Sequence, residues 1–132
     1  MMAGTREYMS RWWALTVPDS WDVEETRDNV TFLLPGNGRV SVSAMKKQEG
    51  FVTEDDLRRY AKQFLNSEWT ESQANWAELN GIRLVGSRQN MMERFYVSRD
   101  ALMLAVRYEH GEQNVLNELD AVSILSGMRI LS

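Results

Sequence analysis

"VTFLLPGNGRVSVSAM", Val30 to Met45, decides the fold. Val30, Phe32 and Leu34 alternate with polar or smaller neighbours, which is the period of a strand. The pattern breaks at Pro35-Gly36-Asn37-Gly38 and then resumes. Val40, Val42 and Ala44 point one way, and Ser41, Ser43 and Met45 point the other. Asn37-Gly38 is expected to take the positive φ that a tight hairpin requires. Two strands joined this closely must be antiparallel. The alternation in the second implies one buried face and one open face.

Working towards the N-terminus, "RWWALTVPDSWDVEE" (Arg11–Glu25) opens as a strand from Trp12 to Val17. Trp13, Leu15 and Val17 share one face, and Trp12, Ala14 and Thr16 the other. Pro18-Asp19-Ser20 supplies turn chemistry, and Trp21, Val23 and Glu25 continue an extended path. Parity assigns Trp13 to the core, and Trp21 is expected to plug its end. Residues 1–10 are expected to form a partly flexible arm.

Towards the C-terminus, "TEDDLRRYAKQFL" predicts a helix. Thr53 is its N-cap, with Asp56 three residues on. Acids in the first turn precede Arg58, Arg59 and Lys62, as the helix dipole favours. Leu57, Tyr60, Ala61, Phe64 and Leu65 form its apolar stripe. Asn80-Gly81 predicts a second hairpin, joining Trp76–Leu79 to Ile82–Val85. "ERFYVSRD" and "ALMLAVRYE" predict adjacent strands turning near Arg99-Asp100. Leu102, Leu104, Val106 and Tyr108 lie on one face of the last strand, and Met103, Ala105 and Arg107 on the other. Val115, Leu116, Leu119 and Val122 have helical spacing, with Gly127 as a stop. Met128–Leu131 is a short extended piece. The order is strands, helix, strands, helix, so the fold class is α+β: an antiparallel sheet packed with two main helices.

The 132 residues suit a single domain spanning 1–132. No cysteine is present, which removes disulfides, thiolate metal sites and a cysteine nucleophile. The net charge of −4 disfavours a nucleic-acid partner, which wants a basic field. The first ten residues carry Arg6 and Glu7 without an apolar run, and no stretch approaches the ~20 apolar residues of a membrane span. A cytoplasmic protein with no membrane span is expected.

Chemistry-bearing motifs are sparse. His110 is the single histidine. Beside Gly111 it reads as a solvent-exposed turn residue. The carboxylate pairs Glu24-Glu25 and Asp55-Asp56, and the nearby Glu118 and Asp120, lack the apolar pocket that raises a catalytic pKa. The Pro35–Gly38 turn precedes a strand rather than a helix, so it is no phosphate loop. No catalytic residue, metal site or cofactor is assigned, and an enzyme is not expected. Arg83, Arg88, Arg94, Arg99 and Arg107 read as solubilising charge on strand faces, or as contacts to an anionic partner. Met91-Met92 is placed in a loop. With Val40, Val42, Leu102, Leu104, Val106 and Trp13 beneath the helices, the opposite face is expected to be an open platform. Trp12, Met45, Met103 and Arg107 are its candidate partner-binding residues.

Three segments together suggest a family: "WALTVPDSWDVEE" (Trp13–Glu25), "VTFLLPGNGRVSVSAMKK" (Val30–Lys47) and "VTEDDLRRYAKQF" (Val52–Phe64). With the closing "MLAVRYE" and "VSILSGMRI", the chain resembles bacterial PsbP-like (Mog/DcrB-like) domains. The resemblance implies an α/β/α sandwich around an antiparallel sheet. It also implies a binding or accessory role, since such proteins include photosystem II assembly factors, Ran-interacting factors and chaperones of secreted effectors. No functional motif carries over. The expectation is therefore a non-catalytic module that binds a protein or peptide on its platform. One alternative is a small anionic-ligand-binding protein or enzyme with Arg107 holding the anion. Another is a toxin-neutralising immunity protein. An exposed sheet face also admits burial in a homodimer.

Overall fold

In the computed structural model, which describes residues 4–27, 29–65, 68–86, 92–110 and 118–131, the Val30–Met45 hairpin lies in a seven-stranded antiparallel sheet. Its strands are β3 (Asp22–Glu25), β4 (Val30–Leu33), β5 (Arg39–Lys46), β6 (Trp69–Asn75), β7 (Asn80–Gly86), β8 (Met92–Arg99) and β9 (Leu102–Glu109). They lie in the order β3-β4-β5-β9-β8-β7-β6. A second sheet holds β1 (Thr5–Met9), β2 (Trp13–Pro18) and β10 (Arg129–Ile130), in the order β1-β2-β10. Two helices complete the described chain, α1 (Glu54–Ala61) and α2 (Glu118–Ser126). The protein is thus mainly antiparallel β-sheet with two helices.

The first core lies between the sheets. Trp13, Leu15 and Val17 of β2 meet Phe32, Val40, Val42, Leu104 and Val106 of the large sheet, and Ala121, Leu125 and Met128 join them. Each fully buried Val, Leu or Phe contributes about 1.5–3 kcal/mol of transfer energy. Trp21 is buried at one end, its ring 5.9 Å from that of Phe32. Tyr8 and Trp13 also pack on Phe32, at 5.4 and 6.3 Å.

The second core lies on the opposite face of the large sheet. Leu57 and Ala61 of α1 cover Ile82, Leu84, Tyr96 and Met103. The cap is as its sequence predicts: Asp56 N–H donates to Thr53 Oγ1 at 3.1 Å and Thr53 N–H to Asp56 Oδ2 at 2.9 Å.

Several local expectations are corrected. Within the expected arm, Thr5–Met9 is a strand that pairs with β2 along its whole length, and residues 1–3 lie outside the described residues. At the Pro35–Gly38 turn the positive φ angles fall at Gly36 (80°) and Asn37 (68°), one residue earlier than expected, and Gly38 is extended. Asn80-Gly81 is not a turn. It begins β7, and the true turn is Trp76–Leu79, closed by Trp76 N–H to the Leu79 carbonyl at 2.9 Å. Trp76 and Leu79 are apolar because this turn folds into the first core. Met92 opens β8 rather than lying in a loop, whereas Met91 is outside the described residues. So are Val115 and Leu116. Strands β8 and β9 turn at Asp100 (φ 54°), as expected.

Candidate functional site

The expected platform is not one surface. Trp12, Ala14 and Thr16 go with β2 and the small sheet, so they cannot share a face with β5 and β9. Met45 and Met103 are register partners on the outer face of the large sheet. Met103 is only 4% exposed, because α1 covers it. Met45 remains exposed beside α1, where Tyr60 O–H donates to its sulfur at 2.8 Å. Arg107 lies four residues further along β9, with its side chain 42% exposed. Parity had separated the two faces of each strand correctly, but it carried no information on which sheet or helix would meet them.

Trp12 borders a concavity of about 560 Å³ at one end of the first core. One wall is the β1–β2 turn, closed by Ser10 N–H to the Trp13 carbonyl at 2.8 Å. The Arg11 guanidinium lies 5.0 Å from the centre of the Trp12 ring, within cation–π range. The facing wall is the β3–β4 turn, where Thr26 N–H and its hydroxyl both donate to the Asn29 carbonyl, at 2.8 and 3.2 Å. Val42 and Ala44 also line the space. Tyr8 O–H donates to the Glu25 carboxylate across the gap between the sheets. Burial, then the Glu25 hydrogen bond and charge, push the Tyr8 pKa above its ordinary value, so the phenol keeps its proton. Asn29 Oδ1 is buried without a partner. Sequence reading found Trp12 but missed Tyr8, Arg27 and Asn29, which only the pairing of β1 with β2 and of β3 with β4 brings to the mouth.

A second concavity, of about 200 Å³, lies on the outer face of the large sheet. Ser41, Ser43, Arg94, Tyr96 and Arg107 border it, and Asn29 reaches it as well. Of the other arginines singled out in the sequence, Arg83 pairs with Glu93, and Arg99 with Glu78 at 3.7 Å. Arg88 is outside the described residues.

His110 is not an exposed turn residue. It stacks on Tyr108 at 4.5 Å and its Nε2 meets Glu93 Oε2 at 2.8 Å. Arg83 donates to the other oxygen of Glu93, through Nε at 2.6 Å and through Nη2. Burial pushes the Glu93 pKa up. The His110 bond, then the Arg83 bond and charge, outweigh it and hold the carboxyl below its usual range. Among the described bonds of Glu93, its partners are Arg83 and His110, neither of them a nucleophile of the hydroxyl or thiol kind. Among the described residues, no three His, Cys, Asp or Glu side chains converge as a metal site, and no helix is long and apolar enough to cross a membrane.

No family model matches the chain, and no curated protein matches it. Solved structures do. Cyanobacterial PsbP from Synechocystis, a solution structure, superposes with a TM-score of 0.66 at 12% identity over 99% of this chain and 95% of that one. A crystal structure from Bacteroides thetaiotaomicron gives a TM-score of 0.63 at 13% identity over 99% of this chain. The chain spans 50% of that protein's length. At such identities the likeness is one of fold alone: the chain has a PsbP-like fold.

Proposed function

We propose that this protein is a non-catalytic binding protein that recognises a short protein segment at the mouth bordered by Ser10, Arg11 and Trp12 on one side and by Glu25, Thr26 and Arg27 on the other. The observation that carries this reading is the lining of that mouth. Trp12 offers a half-buried apolar ring braced by Arg11, and Val42 and Ala44 continue the apolar lining beside it. An extended segment meets this surface with an apolar side chain on Trp12. Tryptophan and arginine are also the residues most enriched where protein interfaces concentrate their affinity. A layered PsbP-like arrangement, with α1 and the small sheet on opposite faces of the large sheet, supports this reading by setting the two turns at the edge of the first core.

The test is capture from the native host by wild type and by Trp12→Ala, followed by titration of the partner identified. Trp12→Ala should raise its Kd by tenfold or more while leaving the melting temperature within a few degrees. Equal affinity for both proteins would reject the mouth as the binding site. Sedimentation velocity on the isolated protein shows whether the segment belongs to a second copy of this chain.

A further inference from the structure

The second concavity carries an inference independent of the first. Strand register places Ser41 beside Arg107, and Arg107 directly opposite Arg94. Like charges in directly opposed positions of an antiparallel pair repel. The surroundings do little to neutralise this pair. Glu109 lies 3.8 Å from Arg107 Nε, but it is shared with Arg39 at 4.0 Å. Arg94 has no carboxylate within 4 Å among the described ion pairs. Its guanidinium instead lies 3.8 Å from the centre of the Phe64 ring and 5.8 Å from that of Trp69. These rings hold the cation in position without cancelling its charge, and Arg94 Nε is buried with no hydrogen-bond partner. Ser41 and Ser43 leave the floor small and polar, with the Ser41 hydroxyl 3.3 Å from that of Thr31. A guanidinium fork matches the paired oxygens of a carboxylate or phosphate. A space of about 200 Å³ accommodates one such group.

We infer that Arg94 and Arg107 form a binding site for a small oxyanion, the phosphate or carboxylate group of a small molecule. The anion bridges the two cations and accepts the unpartnered Arg94 Nε–H. Arg94 is the fixed element of the site, clamped by Phe64 and Trp69. Arg107, more exposed, closes on the ligand. The overall charge of −4 makes this cationic pair a local exception rather than part of a basic surface.

The experiment is a titration of ¹⁵N-labelled protein with inorganic phosphate and, separately, with acetate, at constant ionic strength made up with chloride. The Arg94 and Arg107 Nε–H signals are followed. At least one anion should give a saturable shift of both. Saturation by phosphate alone identifies a phosphate site, and saturation by acetate alone a carboxylate site. Arg107→Gln should weaken that binding tenfold or more, whereas Trp12→Ala should leave it unchanged. Ser43→Val, which fills the floor and keeps both charges, should give the same loss as Arg107→Gln and serves if that variant melts early. Linear shifts with both anions overturn the site, as does saturation that survives in a folded Arg107→Gln or Ser43→Val. Because Trp12 takes no part, the site stands or falls separately from the mouth at the β1–β2 turn.

Discussion

Glu93 is the most consequential single ionisable residue described, because it is 3% exposed and serves two basic partners. Its folded pKa is lowered from the ordinary 4.5. Its contribution to stability is therefore complete above about pH 4.5 and is lost as pH falls through the lowered folded value. Glu93→Gln should cost on the order of 2–3 kcal/mol at pH 7. That is less than the ~3–5 of a fully buried pair, because Arg83 keeps contact with water. Urea midpoints at pH 7 and pH 3.5 test this: wild type should lose more stability towards acid than the variant. An equal loss in both would remove Glu93 as the source. None of this was legible in the sequence. Arg83, Glu93 and His110 lie on three segments, and only the pairing of β7, β8 and β9 brings them together. The isolated histidine offered no sign of its partner.

Among the elements, those with a strong internal signal were legible and those shaped by neighbours were not. The α1 cap was readable because Thr53 and Asp56 satisfy each other locally. The Thr53 backbone N–H, with Lys47, also brings the Asp56 pKa down to about 2, so that the cap persists until strongly acidic pH. Strand β6 was missed because it lies at a sheet edge, exposed at most positions, and has no alternation to show. Asn80-Gly81 misled because a glycine can serve either a turn or a close approach. Here it serves the second: a Cβ on Gly81 would sit 2.0 Å from the Tyr96 carbonyl oxygen of β8. Gly81→Ala should therefore cost about 1–3 kcal/mol, the range for forcing an extra carbon into a packed site. Thermal denaturation measures it. A neutral result would mean that β7 and β8 separate easily.

Across the whole molecule, the antiparallel class and the inward parity of Trp13, Val40, Val42 and Leu104 were readable, since each follows from period two. The layering was not, because hydrophobic pattern reports that a face is covered but not by what. Met103 shows the difference. It was expected on an open platform, and α1 covers it. Met103→Ala should cost about 2–4 kcal/mol by leaving a void, whereas Met45→Ala, at the exposed register partner, should change stability by less than about 0.5 kcal/mol. Chemical denaturation of the two variants distinguishes a covered face from an open one. Similar small losses would return Met103 to the surface. The candidate site was half legible for the same reason: Trp12 and Arg107 were named, but Asn29 and Arg94 acquire meaning only from the strands opposite them.

The small sheet joins strands that lie far apart along the chain. Its central strand, β2, takes β1 from its immediate neighbourhood and β10 from more than a hundred residues away. Until residues 128–130 are in place, Trp13 lacks its cross-strand neighbour Ile130, and the first core lacks Met128, which is fully buried when it arrives. Closure of so distant a pair belongs among the slower steps of folding, on the millisecond-to-second scale of sheet-rich proteins. During synthesis, the indole of Trp13 and the methyl groups of Leu15 and Val17 therefore lack this part of their cover until residues 128–130 emerge.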